Sequence, residues 1–526
     1  MTPTSGTAPS DAWDVERARW NAIWLQRLER QLVRMTAHLQ TSLRDDPQSL
    51  SSHQVSLITL LNRAHPYPQL HRRMVELIIT LSPWPLRWGH WRSWEAMLRF
   101  ALEVADVSIP ASSRAALLDD LARLLFDTGR IDEALETAHE AVAQALAGEA
   151  PRPLGRAIHT TVDILRREGE LDTAYAMLER AESRLEDARY AGYEIALAYL
   201  YTGRSLLLRQ EGNLDEGIAW ANRAVSLVES LSETEPHAVA DIYYIRGVIH
   251  WGRGEYRDTI HDMEKAASLY AAIGDRYAES NVLGVLGLSY WSVGDYDRAE
   301  EVIRRTIAIA EQLNALQWLT VNVGNLGLVY LTRGEPSRAL TYIEEHARLA
   351  KRIGDSYELM RATGNRGVVQ IHLGEFEAAL QALEEDARLA EQQGSREGRV
   401  ATYVNLSRCL GHLGRLDEAL DLANRAYALA RDSGSATARL AALRNLADWL
   451  PRPRRESLLR EALRLARQTE RRLDEAACYL SLAALKTGKE RRRLWEQGVA
   501  LLRDMKAIAW VRGRTPDEPP CIPLAI

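Results

Sequence analysis

Apolar positions recur through most of this chain at intervals of three and four residues, in blocks long enough for paired helices and interrupted by glycine at fixed distances. Gly254, Gly294, Gly334, Gly374 and Gly414 stand forty residues apart, and Gly274, Asn314, Gly354, Gly394 and Gly434 keep the same period. Asn325, Asn365, Asn405 and Asn445 keep it a third time, in mid-helix. Three ladders with one period predict a single helix–turn–helix unit copied many times, with each copy burying its face on its neighbours.

The turn between the two helices of a copy, A and B, has the form Gly-x-apolar-x-x-Ala. It reads Gly129–Ala134, Gly169–Ala174, Gly212–Gly217, Gly254–Thr259, Gly294–Ala299, Gly334–Ala339, Gly374–Ala379 and Gly414–Ala419. Glycine permits the left-handed residue that stops helix A, the apolar residue pins the turn to the core, and an acidic residue early in helix B complements its dipole. Seven residues before the glycine a small residue recurs: Ala122, Ser205, Gly247, Gly287, Gly327, Gly367 and Ser407. Small residues at facing positions let two antiparallel helices approach closely, so Leu at Gly327 should overpack the pair at a cost of roughly 1–3 kcal/mol.

The ends depart from this pattern. Residues 1–11 are expected to be disordered, and 12–68 to form a helical cap or docking piece, with Trp13, Trp20, Ile23, Trp24, Leu28 and Leu32 at helical spacing. Residues 69–108 read as a degenerate repeat. Its Pro83-Trp84-Pro85 wedge, with Trp88, Trp91 and Trp94, suits core packing at an array end better than a ligand cage. The array proper spans 109–508, although Pro451 and Pro453 replace its penultimate turn glycine. The proline-rich tail, 509–526, is expected to be disordered, extended and unpacked.

The small-residue, aromatic, Gly-x-Tyr-x-x-Ala pattern resembles the tetratricopeptide repeat, best in Asn281–Tyr290 with Gly294–Ala299 and in Gly324–Tyr330 with Gly334. The forty-residue period is similar to the longer variant found in spindle-orientation adaptors, kinesin light chains, bacterial signal-transduction ATPases and peptide-sensing regulators. Thr259, Gly217 and Pro336 depart from the repeat pattern. The resemblance covers roughly residues 110–500 and implies an all-α, right-handed solenoid of stacked antiparallel helix pairs, with A helices lining a concave groove for a peptide or partner helix. It further implies that Asn325, Asn365, Asn405 and Asn445, nine residues before each turn position, face that groove. Asn is a poor helix former whose carboxamide suits the backbone of an extended peptide. Alternatively, each Asn bonds a neighbouring repeat and ties the stack. Helical spacing puts Arg361, Arg408, His372, His412 and Asp448 on the same face, which points to a protein or peptide partner with acidic side chains or a free carboxylate. His372 and His412 show no third ligand, so no metal or other cofactor is expected.

Composition narrows the function. A formal net charge of −6 argues against wholesale binding to nucleic acid or a membrane surface. Residues 452–493 hold thirteen Lys or Arg against six Asp or Glu, which keeps nucleic-acid contact there as a minor alternative. Cys409, Cys478 and Cys521 lack disulfide or metal spacing and fit a reducing cytoplasm. There is no apolar run of membrane-spanning length and no basic, apolar leader at Met1–Ser10. Arginine far outnumbers lysine, as in proteins of GC-rich bacteria. Thr487-Gly488-Lys489-Glu490 is not a phosphate loop, and no nucleophile, zinc or redox motif occurs. The expectation is a non-enzymatic cytoplasmic adaptor or sensor. The alternative is a regulatory subunit of a separately encoded enzyme, docked through its Trp-rich N-terminal helices or its basic C-terminal end.

Overall fold

The computed structural model describes residues 9–45, 53–82, 91–104, 108–187, 193–232, 235–313, 315–393, 396–431 and 435–523. Trp84, Trp88, Gly89, Asn314, Gly394 and Gly434 fall outside them. Among the described residues the chain forms α-helices and short 3-10 turns, with no strand. It is an all-α solenoid of stacked helix pairs in two compact units, one of residues 1–249 and 264–279, the other of residues 250–263 and 280–526.

In the first unit, helices Pro9–Asp45, Gln54–Ala64 and His71–Leu81 share one core with the first repeats. Leu28, Leu32, Leu57, Met74, Trp94, Leu121 and Leu125 all belong to it. Trp94 is fully buried there, as expected of core packing, and Trp91 packs against the same cluster. Three pairs follow: Ala111–Asp127 with Ile131–Ala147, Pro151–Glu168 with Leu171–Asp187, and Tyr193–Gln210 with Leu214–Val228. Helix Ile131–Ala147 buries Ala134, Ala138, Ala141 and Ala145. A stripe of alanines at this spacing brings helix axes close without costing side-chain entropy.

The second unit holds five A/B pairs and a return. They are Arg276–Val293 (from Ser280 onward) with Tyr296–Gln312, Leu316–Arg333 with Pro336–Ile353, Ser356–Leu373 with Phe376–Gln393, Arg396–His412 with Leu416–Arg431, and Ala436–Trp449 with Arg452–Gln468. Helices Arg472–Ala484 and Gly488–Asp504 come last, and the turn before them meets the first helices of the unit. The Arg471 guanidinium lies over the Trp291 ring at 5.8 Å, and Arg257 is 3.2 Å from Glu470.

The eight turn glycines have φ between 76° and 85°, the left-handed conformation expected of them. At Gly334 the backbone N–H of Glu335 reaches the carbonyl of Tyr330 at 2.9 Å, which closes the helix end. Departures from the repeat pattern have local reasons. Pro336 opens helix Pro336–Ile353, where its missing N–H is not needed. The buried Thr259 hydroxyl donates to the Glu255 carbonyl at 3.0 Å. At Gly217 the carbonyl accepts from Ser205 Oγ at 2.7 Å, and Ser407 makes the same bond to Ala419. Where glycine is lost altogether, Leu450 and Pro451 are extended and helix Arg452–Gln468 starts afresh.

The small-residue positions are tight. A Cβ on Gly327 would lie 2.7 Å from Ile343 Cδ1, and one on Gly367 2.6 Å from Leu383 Cγ. The tail, expected to be unpacked throughout, is packed at two places, Trp510 and Ile522, the latter 2% exposed, while 512–518 are mostly exposed. Prolines removed the helical signal there, yet the same prolines suit an extended segment laid on a preformed surface.

Candidate functional site

Helical spacing places Thr332, His372 and His412 at one level of three successive A helices, with Arg361 near the start of its helix, Arg444 in the middle of its own and Arg408 one turn before His412. Residues 505–523 run across this face. Lys506 pairs with Asp297, and Tyr296 Oη is 3.9 Å from Met505 Sδ. Trp510 Nε1 donates to the Thr332 carbonyl at 2.8 Å, and its ring meets His372 edge-on with centroids 5.0 Å apart. Beyond a mostly exposed stretch, 512–518, Cys521 Sγ is contacted by Arg408 and lies 3.9 Å from His412 Nε2. Arg408 Nη1 donates to the Ile522 carbonyl at 3.2 Å. Arg444 donates to the same carbonyl at 3.2 Å and to that of Pro523 at 3.3 Å.

Arg444 is fixed from behind. It pairs with the buried Asp474, whose other oxygen accepts from Arg471 Nε at 2.8 Å. A cavity of about 250 Å³ beside the segment is lined by Arg408, His412, Arg444, Asp448, Arg455 and Cys521, among others. Burial, reinforced by Arg408 and His412, pushes His372 down to about 3, so its ring is neutral. Burial alone would raise the Cys521 thiol, but the Arg408 guanidinium and the His412 ring outweigh it and hold the thiol below its ordinary range.

The four asparagines do not share one environment. Asn325 is buried, and its Oδ1 accepts from Arg361 Nη2 at 3.3 Å. Arg361 also holds Glu358 at 3.0 Å, and Glu358 meets the buried His346 Nε2 at 2.8 Å. Asn325 and Arg361 therefore link neighbouring repeats, the alternative role raised by the sequence. Asn365 is partly exposed and Asn405 is buried. Asn445 is fully buried, with neither carboxamide atom partnered among the described residues. Of the other candidates, Arg408, His372 and His412 meet the tail. His412 also stacks on Phe376 with centroids 4.8 Å apart, and Asp448 is exposed and 3.5 Å from Arg455.

Sequence reasoning missed Arg444, Asp474, Trp510 and Ile522. Arg444 left a trace, because the residue before the Asn is Gly324, Gly364 and Val404 in the preceding copies. In the basic stretch, Arg460, Arg467, Arg471, Arg472, Lys486 and Arg491 pair with carboxylates. The first unit has its own polar network. Tyr199 donates to Asp241 at 2.6 Å, and Arg156 is 2.9 Å from both Asp119 and Asp120. These groups bond one another across repeats, a stack-joining arrangement.

No curated protein sequence matches this chain. Among solved structures, a Rap protein complexed with competence and sporulation factor is similar at 15% identity and a TM-score of 0.49, over 67% of this chain and 97% of that one. The apo quorum sensor NprR from B. thuringiensis is similar at 17% identity and 0.47, over 66% and 98%. A signal-transduction ATPase with a tetratricopeptide-repeat sensor, from Pyrococcus horikoshii, is similar at 14% identity and 0.47, over 70% and 54%. Tetratricopeptide-repeat family models match residues 115–140, 238–312, 325–395 and 400–425. With the forty-residue period, the left-handed turn glycines and the stacked helix pairs, they show that this chain carries tetratricopeptide repeats.

Proposed function

We propose that this chain is a non-enzymatic interaction scaffold, an adaptor or sensor in the bacterial cytoplasm, which binds a peptide or helix of a partner protein on the A helices of its second unit. The observation that carries this reading is that buried guanidiniums on that face already hold a peptide segment through its main-chain carbonyls. Recognition of carbonyls is blind to side chains, which suits a scaffold for extended ligands. Arg408, Arg444 and Arg455 around the cavity favour a partner rich in acceptors: carbonyls, acidic side chains or a carboxylate. The three cysteines are free, and no helix among the described residues is long and apolar enough to cross a membrane.

The test is selection from a displayed peptide library on the 526-residue chain, followed by affinity measurement on variants. Selected peptides should lose at least tenfold in affinity to Arg408→Gln and to the double variant Asn365→Ala, Asn405→Ala, with the thermal midpoint nearly unchanged. Peptides that bind all variants equally would overturn the reading.

A second surface favours the regulatory-subunit reading. In helix Pro9–Asp45, Leu28, Leu32 and Leu39 are buried, whereas Trp13 is 74% and Trp20 64% exposed. The helix is therefore both a cap, through its second half, and a bare apolar face, through its first. Trp13→Ser with Trp20→Ser should leave the melting temperature unchanged. If it also leaves capture of a co-purifying enzyme unchanged, docking through this helix is excluded.

A further inference from the structure

The segment seated on the second unit is itself a peptide, and its chemistry describes what the surface accepts. It reads Pro519-Pro520-Cys521-Ile522-Pro523. Its three prolines carry no N–H, so the segment has few donors to satisfy and offers mainly carbonyls. Ile522 is its single buried aliphatic side chain, and the Ile522 N–H turns back to the Pro520 carbonyl at 3.1 Å.

The receiving side is built to match. Arg408 is 7% exposed, and its hydrogen bonds go to Ile522 O and Cys521 Sγ, both on the segment. A guanidinium this buried needs acceptors, so whenever the segment leaves, another acceptor-bearing chain or water must take its place. Arg444 is locked by Asp474 and Arg471 and therefore presents its donors in a fixed position. The segment, by contrast, is held on a leash. Trp510 anchors it, and 512–518 are largely exposed, so 519–523 can lift off without unfolding a helix. A leash this short gives an effective concentration on the order of millimolar, so a segment of roughly 100 μM intrinsic affinity stays bound about ten times more often than free.

We propose that the Arg408/Arg444 surface reads extended, proline-flanked segments presenting one aliphatic side chain, and that residues 519–523 are a resident occupant which a partner of that chemistry displaces. This rests on the interaction-scaffold reading above and adds to it the class of ligand and an internal competitor.

The test uses the 526-residue chain, its full-length Ile522→Glu variant, and a fluorescein-labelled, C-terminally amidated peptide of residues 515–523. Cys521 reports on seating, because Cys409 and Cys478 are buried while Cys521 is partly exposed. Ile522→Glu should speed maleimide labelling of Cys521 at least tenfold per thiolate, the thiolate fraction being taken from the pH profile of the rate. It should also bind the peptide at least tenfold more tightly than the native chain does, and adding Arg408→Gln should remove that binding. A peptide carrying the same Ile522→Glu change should not bind. If Ile522→Glu does not fold, by far-ultraviolet circular dichroism, Ile522→Gly supplies the same comparison. Native labelling rates in the released variant, or no binding of the peptide to it, overturn the proposal. The two readings fail separately. Library-selected peptides that need Arg408 yet bind the native and released chains equally refute the resident competitor alone. Selected peptides indifferent to Arg408 refute the scaffold surface itself.

Discussion

Asp386 offers a sharp check on the packing between repeats. It lies on helix Phe376–Gln393, is 6% exposed, and accepts from Thr402 Oγ1 at 2.7 Å. Gly364 crowds it so closely that a Cβ there would sit 3.0 Å from Oδ1. Burial pushes this carboxyl up to about 6, and the Thr402 hydroxyl offsets only part of the rise. An unfolded Asp titrates near 3.9, so the native state binds the extra proton between about pH 4 and pH 6. A folded pKa above the unfolded one means that stability is greatest below pH 4, falls as pH rises to 6, and is constantly reduced above it. Two units correspond to about 3 kcal/mol as an upper bound. Asp386→Asn keeps an acceptor for Thr402 and removes the titration. The variant should match the native chain near pH 4 and exceed it by about 1–3 kcal/mol at pH 7. Urea unfolding of both proteins at pH 4, 5, 6 and 7, followed by circular dichroism, measures the difference. A difference independent of pH, or an Asn variant less stable at pH 7, would show that the carboxylate is ionised and well paired, and the reasoning would fail.

Gly327→Leu must displace Ile343, already 2.7 Å from a modest Cβ, and should cost roughly 1–3 kcal/mol in urea unfolding, with the loss of protection from hydrogen exchange centred on helices Leu316–Arg333 and Pro336–Ile353. Arg361→Ala strips Glu358 of one partner and Asn325 of another. Burial raises the Glu358 pKa, but His346 and Arg361 outweigh it, so the variant should lose about 1–3 kcal/mol in urea unfolding at pH 7. Trp510→Ala removes the indole bond to Thr332 and the edge contact with His372; it should accelerate maleimide labelling of Cys521 while leaving helicity unchanged.

The repeat was legible in the sequence because its causes are local. A left-handed stop closes bonds within six residues, as from Glu335 to Tyr330, and a glycine or serine faces its own B helix twelve residues on, as Ser407 faces Ala419. Each copy must solve the same problem, so the solution is written every forty residues. Periodicity also placed Arg408, His372 and His412 on one face. It could not say what covers that face. The contacts that decide this join Arg408 to Ile522, 114 residues away, Trp510 to Thr332, 178 away, and Met505 to Tyr296, 209 away. Nothing in the repeat foretells them, because they depend on helices Arg472–Ala484 and Gly488–Asp504 carrying the tail back to the start of the unit. The asparagine ladder shows the same division. The sequence set four identical side chains at one helical position. Only tertiary packing made Asn325 a bond between repeats, left Asn365 partly exposed and buried Asn445 completely, because the fate of a carboxamide is set by the groups that close over it.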